Sequence, residues 1–68
     1  MVSITWLIEV IDPGDVAEIV ETISHVYHGI VKNARPKVVV VQGDIAAGMA
    51  AELLSRRGVP AVRVRNKK

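Results

Sequence analysis

The residues best placed to do chemistry follow a run of four valines, in the segment QGDIAAG at positions 42–48. A strand that leads into a helix presents backbone amides at the helix N-terminus, where phosphate groups often bind. Gly43 and Gly48 have the spacing of the glycines in a Walker sequence, but the following Lys-Ser/Thr pair is missing. Asp44 would also repel a phosphate. A phosphate- or nucleotide-binding site at Gly43 and Asp44 is therefore the third of three functional hypotheses.

Three aspartates, Asp12, Asp15 and Asp44, stand where a predicted strand gives way to a helix. In a parallel sheet these positions share one edge, so the three carboxylates could hold Mg²⁺ through oxygen ligands and water. Aspartate is also a common N-cap and first-turn residue, because it satisfies free amides and the helix dipole. Helix capping is the favoured interpretation, and a metal site is the open alternative.

Glu21, His25 and His28 are spaced to line up on the polar face of the first predicted helix. Histidines three residues apart can share a metal ion, but neither a cysteine nor an HExxH motif accompanies them. No serine stands in a context that would pair it with a histidine as a nucleophile. We therefore expect solvent-facing histidines, and we assign no catalytic residue, no metal ligand and no cofactor.

Nine basic side chains give the chain a formal net charge of +2 and a pI of about 9.4. In the predicted topology one group lies at the amino edge of the sheet, and the other follows the last strand and the C-terminal tail. The first group is Lys32, Arg35, Lys37, Arg56 and Arg57, and the second is Arg63, Arg65, Lys67 and Lys68. Clustered cations bind phosphate backbones without sequence preference. They predict a nucleic-acid-binding surface, with solubility and edge protection as the alternative.

Hydrophobic periodicity predicts five elements in the order β-α-β-α-β. Residues 3–11 alternate between two faces, as in a strand with one buried side. Asp12 and Pro13 then start a helix whose apolar residues recur every three or four positions. This stripe consists of Val16, Ile19, Val20, Ile23, Val26, Tyr27, Ile30 and Val31.

The second half of the chain contributes a strand, a helix and a further strand. Residues 37–42 contain a continuous run of four valines, which predicts a strand buried on both faces and therefore central. Asp44 can cap the helix that follows, and Gly58 takes the left-handed position after it. Residues 61–65 alternate as an edge-like strand. The inward stripe of this second helix is predicted to be Ile45, Met49, Leu53 and Leu54.

Parallel strands joined by right-handed helical crossovers place both helices on the same face of a three-stranded sheet with the order 1-2-3. The predicted fold class is therefore α/β, a two-layer sandwich that forms a single domain over residues 1–68 with a short basic tail. No helix covers the opposite face. An uncovered apolar centre there predicts an oligomer interface or a protein partner. We expect this face to show Thr5, Arg63 and Arg65 around an interface formed by Leu7, Val39 and Val41.

Half of the residues are hydrophobic but Trp6 and Tyr27 are the only aromatic ones, so the core must be aliphatic. A domain of 68 residues buries only about 60% of its unfolded surface, which favours a homodimer or larger assembly. The chain has no cysteine and no apolar run of the roughly 20 residues that cross a bilayer, and its first ten residues lack the basic start that a signal peptide would be expected to have. We expect a cytoplasmic protein without membrane contact. The β-branched, cysteine-free composition also suits a thermophile.

A basic loop, a Val-rich strand and an acidic helix start follow one another in the segment NARPKVVVVQGD. A Gly-Val-Pro turn then leads into another Val-rich strand in the segment RRGVPAVRV. From about Ile23 to Arg65 the chain thereby resembles the archaeal and eukaryotic ribosomal proteins that bind kink-turn RNA. The Gly-Thr-Asn-Glu segment with which that family contacts RNA is absent, and ISHVYHGIV holds its place. The resemblance implies an α/β packing pattern and favours RNA as a partner, and it assigns no binding residue.

The leading hypothesis from the sequence is a small, non-enzymatic basic protein that associates with RNA or the ribosome. The second hypothesis is a homo-oligomeric structural or interaction module that uses the uncovered sheet face. The third is the phosphate-binding domain described above.

Overall fold

The computed structural model describes residues 5–65, and the five predicted elements occur there in the predicted order. No helix in this part of the chain has the length and apolarity needed to cross a membrane. One-turn 3₁₀ helices at Pro13–Asp15 and Lys32–Ala34 precede and follow the first α-helix. The main elements are β1 (Thr5–Val10), α1 (Val16–Gly29), β2 (Val38–Gly43), α2 (Ile45–Arg56) and β3 (Ala61–Val64).

The sheet consists of three parallel strands in the order β1-β2-β3, which confirms the predicted topology. Leu7 pairs with Val40, and Val40 pairs with Val62. Burial alternates along β2, since Val39 and Val41 are completely buried whereas Val38 and Val40 are half-buried. The two helices pack against each other and cover one face of the sheet, so the molecule is the two-layer α/β sandwich that the sequence predicts.

The core between the two layers is aliphatic, as the composition requires. Trp6 and Tyr27 close one side of it, with their ring centroids 6.3 Å apart and their planes at 88°. This edge-to-face contact links β1 to α1. The largest fully buried side chains are Leu54, Val10, Val20, Val39, Val41 and Val59.

Helix α2 turns a different side to the sheet from the predicted one. Ile45, Met49 and Leu53 are 77%, 49% and 37% exposed, so the predicted inward stripe is wrong for these three residues and right for Leu54. Asp44 alone connects β2 to α2, and such a short connection lets the strand set the rotation of the helix. Small side chains on the inner side also allow close approach to the sheet. The buried residues are Ala46, Ala47, Ala50, Ala51 and Leu54.

The stripe predicted for α1 is also wrong at two positions. Val31 is 68% exposed, because the helix ends at Gly29 and helical spacing no longer applies beyond it. Val26 is 44% exposed and lies beside the free edge of β1. The core side of the helix carries Val16 and Val20.

The end of α2 confirms the prediction for Gly58, whose φ angle is +82°. The Gly58 amide donates to the Ser55 carbonyl over 3.1 Å, and the Val59 amide donates to the Leu54 carbonyl over 2.9 Å. This pair of hydrogen bonds is the Schellman motif, which satisfies carbonyls that the helix leaves free. Leu54 and Val59 are both core residues, so the motif directs the chain from α2 into β3.

Candidate functional site

The side of the sheet that the helices leave uncovered carries several exposed apolar side chains, and we call it the open face. Side chains alternate along a strand, and paired residues of neighbouring parallel strands lie on the same side. Its apolar centre is exposed, with Leu7 at 65%, Val62 at 48% and Val64 at 41%. The register assigns to this face Thr5, Leu7, Glu9, Val38, Val40, Gln42, Val62 and Val64.

Val39 and Val41, which were predicted to form the interface with Leu7, do not lie on the open face. Both side chains are 0% exposed, since they form the floor of the core beneath the helices. Four valines in succession carry no alternation, so the sequence did not show which two point outward. The predicted placement on this face is wrong for Val39 and Val41, whereas Leu7 does lie there, beside Val38 and Val40.

Arg63 is also on the opposite side from the predicted one. Its guanidinium Nη1 donates to the Gly43 carbonyl over 3.2 Å and lies 4.0 Å from Asp44 Oδ1. A Cβ built on Gly48 would lie 3.4 Å from Arg63 Cδ, so the arginine stem packs along α2. Val62 and Val64 therefore occupy the open face where Arg63 and Arg65 were expected, and Arg65 is exposed just beyond β3. The missed signal was that a helix of small residues leaves room for a long arginine beside it.

At the amino edge of the sheet, Arg35 is engaged within the molecule. Its Nε donates to the Ile30 carbonyl over 3.1 Å, and its Nη2 donates to the His28 carbonyl over 3.2 Å. The guanidinium carbon also lies 5.2 Å from the centroid of the Tyr27 ring. Arg35 thus satisfies carbonyls at the C-terminus of α1, where a positive charge is favoured by the helix dipole.

Two further arginines of this edge form ion pairs. Arg57 Nη1 lies 2.8 Å from Glu21 Oε1, and Arg56 Nη2 lies 2.9 Å from Glu52 Oε2. All four side chains are 45% exposed or more, and exposed pairs of this kind typically contribute about 0.2–1 kcal/mol. The pairs reduce the positive field at this edge but leave the arginines within reach of solvent.

Lys32 and Lys37 are the exposed cations of this edge that make no ion pair within residues 5–65. Of the second basic group, Arg63 and Arg65 lie near the carboxyl edge of the sheet, at the opposite end from these lysines. Lys67 and Lys68 lie outside the described residues. The predicted nucleic-acid-binding residues are therefore distributed over two ends of the molecule.

Of the three aspartates predicted as helix caps, Asp12 makes a capping hydrogen bond, whereas the Asp15 and Asp44 side chains make none to the helices that follow them. Asp12 Oδ1 accepts a hydrogen bond from the Gly14 amide over 2.9 Å, while the Asp44 carboxylate makes no capping hydrogen bond to α2. Within residues 5–65 no three His, Asp or Glu side chains approach closely enough to hold a metal ion. At Gly43 a Cβ would lie 2.5 Å from the Val10 carbonyl oxygen, so close packing of β1 on β2 accounts for this glycine.

The histidines line the outer side of α1 together with Glu21. His28 Nε2 lies 2.9 Å from the Arg57 carbonyl oxygen, an arrangement in which the ring nitrogen donates and joins the ends of α1 and α2. His25 is exposed beside Glu21 in a shallow groove. These contacts stabilise the helix pair. Ser24 lines the same groove as both rings, and within residues 5–65 no hydrogen bond joins its hydroxyl to either of them.

Searches of protein-family models, of curated proteins and of solved structures find no match to this chain.

Proposed function

We propose that this chain is a self-associating structural module, whose open face packs against the open face of a second copy. The observation that carries the proposal is the apolar centre of that face, where Leu7, Val62 and Val64 are each more than 40% exposed. Contiguous apolar patches with a polar rim are typical of protein interfaces. Sheets with such faces pack about 10 Å apart and interdigitate their side chains.

A second copy fits this surface because the surface is nearly free of charge. Glu9 is the one ionisable residue among the eight residues of the open face, and it lies near the carboxyl end of the edge strand β1. A two-fold contact places a surface patch against itself, so an uncharged apolar centre meets an identical centre without charge repulsion. The absence of Lys and Arg from these eight positions argues against a phosphate backbone as the ligand here.

The test is sedimentation velocity of Val62→Lys over a range of protein concentrations. We expect the wild-type chain to sediment as an oligomer and Val62→Lys to lose the face-to-face contact, because a lysine would be buried in an apolar seam. Val31→Lys is the matched control, since Val31 is exposed in the connection between α1 and β2. A Val62→Lys variant with unchanged association would overturn the proposal.

A second candidate function is binding of RNA at the amino edge of the sheet. The specific observation is that Lys32 and Lys37 are exposed and unpaired within the described residues, at the same end of the sheet as the weakly paired Arg56 and Arg57. Each phosphate contact releases condensed counterions, which gives such binding a steep salt dependence. Self-association would place two such edges in one particle and raise the affinity through multivalency.

This second candidate is tested by titrating single-stranded RNA at several salt concentrations. The double variant Lys32→Ala with Lys37→Ala should make the negative slope of log K against log salt shallower by about 1.4, since each lost phosphate contact removes about 0.7. Lys67→Ala with Lys68→Ala is the matched variant in the tail. RNA binding that is absent, or insensitive to salt, would contradict this function.

A further inference from the structure

The two edges of the sheet differ in how well they are protected against further strand pairing. Strand β3 is four residues long, follows Pro60 and carries Arg63, with Arg65 directly after it. Proline, short length and positive charge are the usual devices that protect an edge. Strand β1 is six residues long, pairs only with β2 in the described chain and has Glu9 as its sole charge. The β1 edge is therefore the one open to pairing.

An apolar groove runs beside that free edge, between β1 and α1. Its floor includes Trp6 and Ile8, which remain partly exposed although they contact the core. Its wall on α1 is formed by Ile19, Ile23 and Val26, and Val26 is 44% exposed. The groove explains why Val26 departs from the predicted core stripe, because this part of α1 lies beyond the edge strand β1 and no strand of residues 5–65 lies beneath it.

We propose that β1 pairs antiparallel with β1 of a second copy around a two-fold axis at Leu7. The two three-stranded sheets then become one continuous six-stranded sheet. Leu7 lies opposite Leu7 of the second copy, Trp6 lies opposite Ile8, and Thr5 lies opposite Glu9. An aromatic residue opposite a β-branched residue stabilises an antiparallel ladder. The two-fold axis creates two such pairs, because the Trp6–Ile8 pair occurs on both sides of Leu7.

The charge of β1 favours this register over the one centred on Ile8. With the axis at Leu7, each Glu9 faces a threonine hydroxyl, and the two Glu9 residues lie about 14 Å apart along the strands. Moving the axis to Ile8 would bring the two glutamates to about 7 Å and place each one opposite a leucine. The Leu7 axis therefore avoids both like-charge repulsion and an unmatched charge.

The pairing also covers the groove. A two-fold axis that is perpendicular to the sheet and passes midway between the two Leu7 residues keeps the helices of both copies on the same side of the sheet. Helix α1 of each copy then lies beside its equivalent, so Ile23 and Val26 approach the same residues of the second copy. The same contact therefore gives hydrogen-bond partners to the backbone groups of β1 and buries the apolar side chains of α1.

This edge interface is distinct from the face-to-face contact proposed above, because a strand edge and a sheet face are different surfaces. The two contacts together would produce a tetramer of two stacked six-stranded sheets. Either contact can exist without the other, so the edge is tested in the Val62→Lys background, where the face contact is removed.

Disulfide trapping tests the edge register, and the chain has no cysteine of its own to interfere. Paired residues in an antiparallel ladder have Cα atoms about 4.5–5.5 Å apart, within the range that a disulfide can bridge. We expect Leu7→Cys to form a covalent dimer on mild oxidation. A mixture of Thr5→Cys with Glu9→Cys should give the mixed dimer, whereas each of these variants alone should not, since its own cysteines lie about 14 Å apart.

Charge substitutions at Thr5 provide a measurement without cross-linking. Thr5→Glu places like charges across the ladder and should raise the dissociation constant of the dimer about 2- to 30-fold, while Thr5→Lys should lower it by a similar factor. Circular dichroism confirms that each variant is folded. Failure of Leu7→Cys to cross-link in the folded protein, or equal cross-linking of Thr5→Cys alone and of the mixture, would overturn the proposal.

Discussion

At the scale of single residues, Gly43 shows how a position that looks chemical is set by backbone packing. Its φ angle is +149°, and a Cβ would meet the Val10 carbonyl oxygen at 2.5 Å and the Ala47 Cβ at 3.0 Å. Two adjacent strands and the start of α2 therefore converge on a site that has no space for a side chain. The glycine that resembles part of a phosphate loop is required by this convergence.

We expect Gly43→Ala to destabilise the fold by about 2–4 kcal/mol, because the methyl group clashes with rigid backbone and the conformation is strained for any other residue. Gly29→Ala is the matched control, since nothing lies within 4 Å of its Cβ position at the end of α1. That variant should gain about 0.5–1 kcal/mol. Urea denaturation at one protein concentration measures both, and equal effects of the two substitutions would refute this account of Gly43.

At the scale of elements, the C-terminus of α1 is held by a residue from the following connection. Arg35 reaches back to the carbonyls of His28 and Ile30 and stacks over Tyr27. His28 in turn joins α1 to the C-terminal turn of α2 through the Arg57 carbonyl. A residue predicted to bind nucleic acid thus has a folding role, and its charge stabilises the end of a helix.

Arg35→Lys should therefore lower the free energy of unfolding by about 1–2 kcal/mol, since lysine cannot form the two-pronged contact or stack on the ring in the same way. Lys37→Arg is the matched control at an exposed position two residues later. Thermal and urea denaturation give the comparison. A folded Arg35→Lys variant with wild-type stability and weakened RNA binding would instead support the role predicted from the sequence.

At the scale of the whole molecule, the domain is thin. The Cα atoms span 32 × 24 × 14 Å, so a single layer of core separates the helices from a sheet whose other face is uncovered. Burial of apolar surface is the main favourable term in folding, and a small domain with one uncovered face has little of it to spare. Association through the open face and the β1 edge would supply the missing burial.

Because association would then contribute to stability, we expect the Tm of the wild-type chain to rise with protein concentration. Mass action changes the free energy of a dimer by about 1.4 kcal/mol for each tenfold change in concentration, which corresponds to a few degrees for a chain of this size. Differential scanning calorimetry over a hundredfold concentration range makes the measurement. A Tm independent of concentration would indicate that the monomer is stable by itself.

The sequence by itself determined the order of elements, the parallel topology, the central position of β2 and the left-handed turn at Gly58. These features depend on hydrophobic periodicity, on the chirality of crossovers and on one residue type, all of which are local or general. The sequence also showed the clusters of basic residues, but it did not show which of these side chains form hydrogen bonds and ion pairs within the molecule.

Only the tertiary structure decided which sides of β2 and α2 face inward. A run of four valines has no period, and an alanine-rich helix has no dominant stripe, so the rotation of each element depends on its neighbours. The one-residue connection at Asp44 and the close contact at Gly43 set that rotation. With Val39 and Val41 buried, the parallel register of β3 with β2 turns Val62 and Val64 outward and places Arg63 on the helix side. Such register and packing depend on the distances between elements, which the sequence does not contain.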